Sequence, residues 1–134
     1  MGFRTKNPTN LLTAWRLLRN KNYGFILRDK DYDTFVNNFT GKRIKKMITW
    51  IAFDKCLHYF INGIYGKLGN YGLGVEIEED GQWNKASDCF CREDGSSYEP
   101  GNLSRTKDPT NKEQIDKLKI VIAQMNKLPQ VKKD

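Results

Sequence analysis

The sequence predicts an α+β fold in which helices are followed by a small antiparallel β-hairpin or sheet and then a C-terminal helix, all in one domain of 134 residues. Three observations predict it. Apolar residues recur at helical spacing through the N-terminal half, the period changes to alternation at Leu73, Val75 and Ile77, and helical spacing returns after Thr110-Asn111-Lys112-Glu113. The composition, 38% hydrophobic and 12% aromatic, is too apolar for a disordered tail, and 29% charged residues is ordinary for a soluble domain.

Taken in order, Pro8-Thr9-Asn10 reads as a helix start, with Leu11, Leu12, Trp15 and Leu18 following at helical spacing. Asn20-Lys21-Asn22 breaks that helix, and Tyr23 to Leu27 reads as a short strand or an extended docking segment. Asp31 or Asp33 can cap a second helix carrying Phe35, Val36 and Phe39, with Gly41 interrupting it or marking its end. A long helix is then expected over about 42–62, stopped by Gly63. Its apolar residues, among them Ile48, Trp50, Ile51, Phe53, Leu57 and Phe60, lie all round the circumference. Such a helix is either central to a core or buries its second face in a subunit interface.

The alternation of Leu73, Val75 and Ile77 with Gly74, Glu76 and Glu78 predicts a half-buried strand. Asp80-Gly81 predicts a hairpin turn, a returning strand over about 82–91, and a second turn at Asp94-Gly95. The capping-box pattern from Thr110 opens a last helix with the stripe Ile115, Leu118, Ile122 and Met125, ended by Pro129. Residues 1–30 and 110–134 are expected as arms able to dock on neighbours.

Charge is segmented. The net +7 divides into +9 over 1–67 (13 basic, 4 acidic), −6 over 68–104 (2 basic, 8 acidic) and +4 over 105–134 (8 basic, 4 acidic). A basic–acidic–basic chain suits acidic partners or self-association through unlike patches, although solvated faces can also differ in sign by chance. No apolar run approaches the length of about 18 residues that a membrane span needs, and the polar residues 1–10 lack a signal-peptide core. An intracellular or particle-borne protein is expected.

Chemistry-bearing patterns are sparse, and no enzyme activity is expected. His58, the one histidine, reads as a packed helix residue. Gly63-Ile64-Tyr65-Gly66-Lys67-Leu68 lacks both the spacing and the Ser or Thr of a phosphate loop. Cys56, Cys89 and Cys91 read as reduced thiols, and a Cys-x-Cys without a second pair is a poor zinc site, so neither metal nor cofactor is expected. The strongest candidates are cations. Lys42, Arg43, Lys45 and Lys46 fall on the first turns of the expected long helix, where they oppose its macrodipole, and Arg16, Arg19 and Lys21 lie on or just after the first helix. Together they read as a surface for nucleic acid or an acidic partner. Trp50, Phe53, Leu57 and Phe60 on the long helix, with Glu76, Glu78 and Glu79 on the hairpin, read as a subunit interface, the acidic hairpin plugging into a basic surface of another copy.

Asn62-Gly63-Ile64-Tyr65-Gly66-Lys67-Leu68-Gly69-Asn70-Tyr71-Gly72 resembles the HU and integration host factor family, whose second helix runs through an Asn/Lys-Gly turn and a Phe-Gly step into its first strand. The likeness takes in about residues 35–80, with 51–61 as the dimer-forming helix and Val75 and Ile77 in the first strand. It implies an HU-like dimer and DNA bending by a basic arm, but the corresponding stretch here is the acidic one, with Asp80-Gly81 in place of an Arg-Asn-Pro tip. Small HU-like proteins occur in tailed, including crAss-like, phages, where they can serve as virion parts. The reading is therefore a non-enzymatic virion component, a ring or neck protein between capsid and tail, assembled in the host cytoplasm. Its partners are copies of itself and other virion proteins, with no membrane and no small-molecule substrate. An HU-like DNA-binding architectural protein is the alternative.

Overall fold

In the computed structural model, residues 3, 5, 10–27, 32–41, 46–64 and 81–126 are described below. In chain order they form α1 (Leu11–Leu18), α2 (Tyr32–Phe39), β1 (Ile48–Trp50), α3 (Asp54–Ile64), α4 (Gln82–Cys89), β2 (Phe90–Arg92), α5 (Pro100–Arg105) and α6 (Lys112–Asn126). The protein is α+β but mostly helical, and its sheet is not the expected antiparallel hairpin. β1 and β2 pair in parallel, Ile48 opposite Phe90, Thr49 opposite Cys91 and Trp50 opposite Arg92. The expected antiparallel hairpin is thus absent among the described residues. Its expected first strand, at Leu73, Val75 and Ile77, lies outside them.

The single long helix is corrected to a strand followed by a shorter helix. Ile48-Thr49-Trp50 are strand-forming residues, β-branched or aromatic, and all three are buried. Helix begins only at Asp54, whose carboxylate suits the positive N-terminal end of α3. The apolar residues spread round the circumference because two elements were being read on one helical wheel. Gly63 is no stop signal either. It lies within α3, where a Cβ would come 2.8 Å from Ile122 Cγ1 on α6, so a bare backbone is what lets the two helices approach. Asn126 Nδ2 donates to the Gly63 carbonyl at 2.9 Å across the same contact.

The strand expected to return from Asp80-Gly81 is α4. Residues 82–89 contain no β-branched side chain, and their buried positions, Gln82, Lys85, Ala86 and Cys89, follow the i, i+3, i+4, i+7 spacing of a helix face. Gly81, with φ of +79°, is the N-cap of this helix rather than a hairpin corner. The expected turn at Asp94-Gly95 is present: Gly95 has φ of +87° and its N–H donates to the Arg92 carbonyl at 2.9 Å. Cys89 ends α4 while Cys91 lies in β2, so they do not share a strand face.

The aromatic core closes around Trp50, which stacks on Phe25 at 5.6 Å and Phe60 at 5.7 Å and meets Phe90 edge-on at 5.8 Å. The free edge of β1 is covered by the segment after α1. Leu27 N–H donates to the Thr49 carbonyl at 2.9 Å and Ile51 N–H to the Phe25 carbonyl at 2.8 Å, so of the segment Tyr23 to Leu27 the part Phe25–Leu27 docks as a strand-like piece, while Tyr23 and Gly24 belong to the turn before it. At the N-terminus, Phe3 is fully buried and stacks on Phe39 at 5.3 Å.

α6 buries Leu118, Val121, Ile122 and Met125, the expected stripe with Ile115 at its margin. Its cap is Asn111, whose Oδ1 accepts from Gln114 N–H at 3.0 Å, rather than Thr110. Asn10 does not cap α1 with its side chain. It reaches instead to the Gln124 carbonyl at 2.9 Å and ties α1 to α6, so the described parts of both expected arms pack within the chain. Among the described residues no helix is long and apolar enough to cross a membrane.

Candidate functional site

The last turn of α1 and the turn after it form a shallow groove of about 480 Å³ lined by Arg16, Arg19, Asn20, Lys21 and Asn22. Its shape follows from local hydrogen bonding. Arg19 and Asn20 N–H close the helix end on the carbonyls of Trp15 and Leu17, each at 3.1 Å. Asn20 then organises the turn: its Oδ1 accepts from Asn22 N–H at 2.8 Å, and its carbonyl accepts from Tyr23 and Gly24, each at 2.9 Å. Gly24, with φ of +66°, lets the chain leave the turn towards β1.

The cations here complement the negative C-terminal end of α1 rather than oppose a dipole. The Arg19 guanidinium lies 4.4 Å over the centre of the Trp15 indole, which fixes it at one side of the groove. Lys117 of α6 donates to the Asn22 carbonyl at 2.6 Å and pairs with Glu113 at 3.1 Å, so α6 braces the turn. Among the described residues the groove wall holds three cations and two amides.

Of the sequence-predicted cations, Arg16, Arg19 and Lys21 are therefore brought together. Lys46 is exposed just before β1, and its carbonyl accepts from the buried Asn38 amide at 2.9 Å. Lys42, Arg43 and Lys45 lie outside the described residues. The expected helix over 42–62 is interrupted by β1 and α3 starts only at Asp54, so Lys46 does not stand on the first turns of a long helix.

The predicted interface divides in two. Trp50, Leu57 and Phe60 are buried in the core at 1% exposure or less and are corrected from interface to core residues. Phe53 is 72% exposed. It stands in the β1–α3 turn beside a cleft of about 610 Å³ whose other walls include Lys55, Pro109, Asn111 and Gln114. Glu76, Glu78 and Glu79 lie outside the described residues.

Sequence reasoning left His58 without partners, and the structure supplies them. The ring stacks on Trp83 at 4.8 Å and 11°, Nδ1 donates to the Leu103 carbonyl at 2.8 Å, and Nε2 accepts from Asn62 Nδ2 at 3.1 Å. The roles follow from the carbonyl, which can only accept, so the proton sits on Nδ1. Asn62 Oδ1 in turn accepts from Gln82 Nε2 at 2.6 Å, and Asp108 Oδ1 lies 3.7 Å from Nε2. This chain of hydrogen bonds joins α3, α4 and α5 across 45 residues of sequence, which no local pattern encodes. Among the described residues no group of three or more His, Cys, Asp or Glu could hold a metal.

Compared with protein-family models, with curated proteins and with solved structures, the chain matches none.

Proposed function

We propose that the protein is a non-enzymatic assembly component that works through protein–protein contacts, with a tailed-phage virion part, such as a ring or neck protein, as the specific form of that reading. The observation that carries it is the groove at the end of α1, where Arg16 of the helix and Arg19 and Lys21 of the turn after it are gathered on one side of the molecule. A concentrated cationic surface of this kind attracts an acidic partner and steers its approach. The exposed Phe53 beside its cleft supplies a second, apolar contact of the sort that anchors interfaces. Light scattering across a concentration series tests the reading. Mass rising to a defined oligomer supports it, and a monomer at every concentration that also retains no protein partner from the native source sinks it.

Nucleic-acid binding at the same groove is the second reading, favoured by two arginines and a lysine that can meet phosphates. Titration of duplex DNA over a salt series separates the two. Nucleic-acid binding shows affinity falling steeply with salt and lost when Arg16, Arg19 and Lys21 are neutralised to Gln.

A further inference from the structure

We propose that His58 is a proton-operated latch: when the ring takes up a second proton, its Nε2 exchanges the Asn62 amide for the Asp108 carboxylate and draws the α5–α6 connection onto α3. The latch is independent of which molecule the neighbouring cleft receives.

One nitrogen of the ring is committed and the other has a choice. Nδ1 donates to the Leu103 carbonyl at 2.8 Å, and because a carbonyl only accepts, that bond is the same in both charge states. Nε2 has two neighbours of opposite polarity, a donor in Asn62 Nδ2 at 3.1 Å and an acceptor in Asp108 Oδ1 at 3.7 Å. The neutral ring takes the Asn62 donor. The imidazolium carries a proton on Nε2, faces the same amide as donor against donor, and needs an acceptor. Asn62 does not supply one by turning its amide round, because its Oδ1 accepts from Gln82 Nε2 at 2.6 Å and the turned amide would set two donors against each other there. The Asp108 carboxylate is the acceptor within reach, and its bond to the charged ring is charge-assisted. Trp83, stacked at 4.8 Å and 11°, holds the plane of the ring, so the exchange takes place at Nε2 without rotation of the imidazole.

The other charged groups on the described elements around the ring are engaged or point elsewhere. On α3, Asp54 pairs with Arg92 at 3.2 Å and Lys55 lines the cleft beside Phe53. On α4, Lys85 lies on the buried face, close enough to Cys89 to favour its thiolate, and Asp88 acts on the same thiol in the opposite sense. On α5, Arg105 donates to Asn102 at 2.8 Å, and Lys107 is exposed next to Asp108. Asp108 is thus the carboxylate that answers the charge on the ring, while Lys85 and Lys107 oppose that charge from a distance.

The carboxylate is the partner that moves. The His58 side chain is 10% exposed and locked by its stack, whereas that of Asp108 is 57% exposed. Closing from 3.7 Å to the roughly 2.8 Å of a charge-assisted hydrogen bond brings Asp108 about 1 Å closer to α3. Pro109, Thr110 and Asn111 follow it directly and form a wall of the cleft beside Phe53, and Asn111 also caps α6. Proton uptake near neutrality, where histidine ordinarily changes charge, therefore sets the position of that wall.

The test is NMR on the full chain across a pH series, in which the one histidine gives one set of imidazole signals. In the wild type, the nuclear Overhauser contact between the imidazole carbon-bound protons and the Asp108 Hβ protons is expected to strengthen on the same curve as the ring takes its proton. Asp108→Asn alters an exposed side chain and keeps the fold; its ring should take the proton at a pH lower by about half a unit, the size a half-exposed pair gives. Added salt should narrow that difference, since the pair is partly screened. Asn62→Asp sets an acceptor at Nε2 in place of the donor, so the ring should take its proton at higher pH and the Asp108 contact should no longer change with it. A merely structural role for these residues would lower the melting temperature of the variants without moving the pH at which the ring is protonated. The latch is overturned by a ring that is protonated at the same pH in wild type and Asp108→Asn, by an Asp108 contact indifferent to the charge on the ring, or by a ring that stays neutral until the chain unfolds in acid.

Discussion

Trp50 and Phe53 are both aromatic and stand three positions apart in the sequence, yet the fold uses them in opposite ways. Trp50 ends β1 with only 1% of its surface exposed and three aromatic rings within 6 Å, whereas Phe53 projects from the next turn with 72% of its surface in solvent. The difference arises at the change of element. β1 is covered on one edge by β2 and on the other by Phe25 to Leu27, while the turn that follows has an open cleft beside it. Burial near Trp50 holds the domain together, so apolar identity alone does not say whether a residue serves stability or contact.

The largest effect expected from breaking this contrast is at Trp50 itself. Trp50→Ala removes a side chain that stacks between Phe25 and Phe60 and leaves a cavity the surrounding rings cannot fill. Such truncations cost about 3–5 kcal/mol, much of the stability of a small domain, and urea unfolding should show a matching fall in midpoint. A loss below about 1 kcal/mol would show that the Trp50 surroundings are not the tightly packed core described above.

Gly63→Ala comes next. The added methyl group meets Ile122 on α6, so the α3–α6 contact must open or Ile122 must change rotamer, and the same shift strains the hydrogen bond from Asn126. Overpacking of this kind costs about 1–3 kcal/mol. In the double variant Gly63→Ala with Ile122→Ala, which removes the γ and δ carbons that the new methyl group meets, the loss should be smaller than the sum of the two single losses. If the second change adds its own loss without recovery, the close approach is not what requires glycine.

These sites also show what the sequence displays and what it hides. α1 and α6 were legible because each carries one apolar stripe at helical spacing, Leu11 to Leu18 and Leu118 to Met125. The 42–62 stretch was not, because a buried strand and a buried helix adjoin, and apolar periodicity cannot separate two covered elements without a break between them. At 82–89 the Asp80-Gly81 pair outweighed a helical burial pattern that shows plainly once the chain is folded. The candidate groove was half legible: Arg16, Arg19 and Lys21 stand together in the sequence, but the brace from Lys117 comes from 95 residues away. The partners of His58 were hidden for the same reason.

Alkaline pH probes the buried side from another direction. Burial is the main cause raising the Cys89 thiol from 9.0 to about 12, and it likewise raises the Tyr98 hydroxyl from 10.0 to about 12. Both groups stay protonated in the folded chain over a range where the unfolded chain ionises. Their contribution to stability is complete below pH 9 and is lost as pH rises towards 12, by at most about 1.4 kcal/mol per pH unit for each group. Melting curves should therefore fall from about pH 9 upward, and Cys89→Ala should flatten the first part of that fall, before Tyr98 contributes. An equally steep fall in the variant between pH 9 and 10 would remove Cys89 as a cause.

The smallest effect on stability is expected at Phe53, and this is where the contrast with Trp50 has functional content. Phe53→Ser replaces a ring that is mostly in water, so the folded state loses little, and the change in unfolding free energy should stay within about 0.5 kcal/mol. Any role of the ring must then appear in association: the variant should keep the wild-type melting temperature yet weaken the oligomer seen by sedimentation. The direction of the salt effect distinguishes it from the groove. Contacts through Arg16, Arg19 and Lys21 weaken as salt rises, whereas an apolar contact through Phe53 holds or strengthens, because burial of apolar surface is not screened. Assembly that persists at high salt and is lost on Phe53→Ser would assign that contact to the cleft. Assembly indifferent to Phe53 at every salt concentration would leave the exposed ring as ordinary surface and place the whole of the interaction on charge.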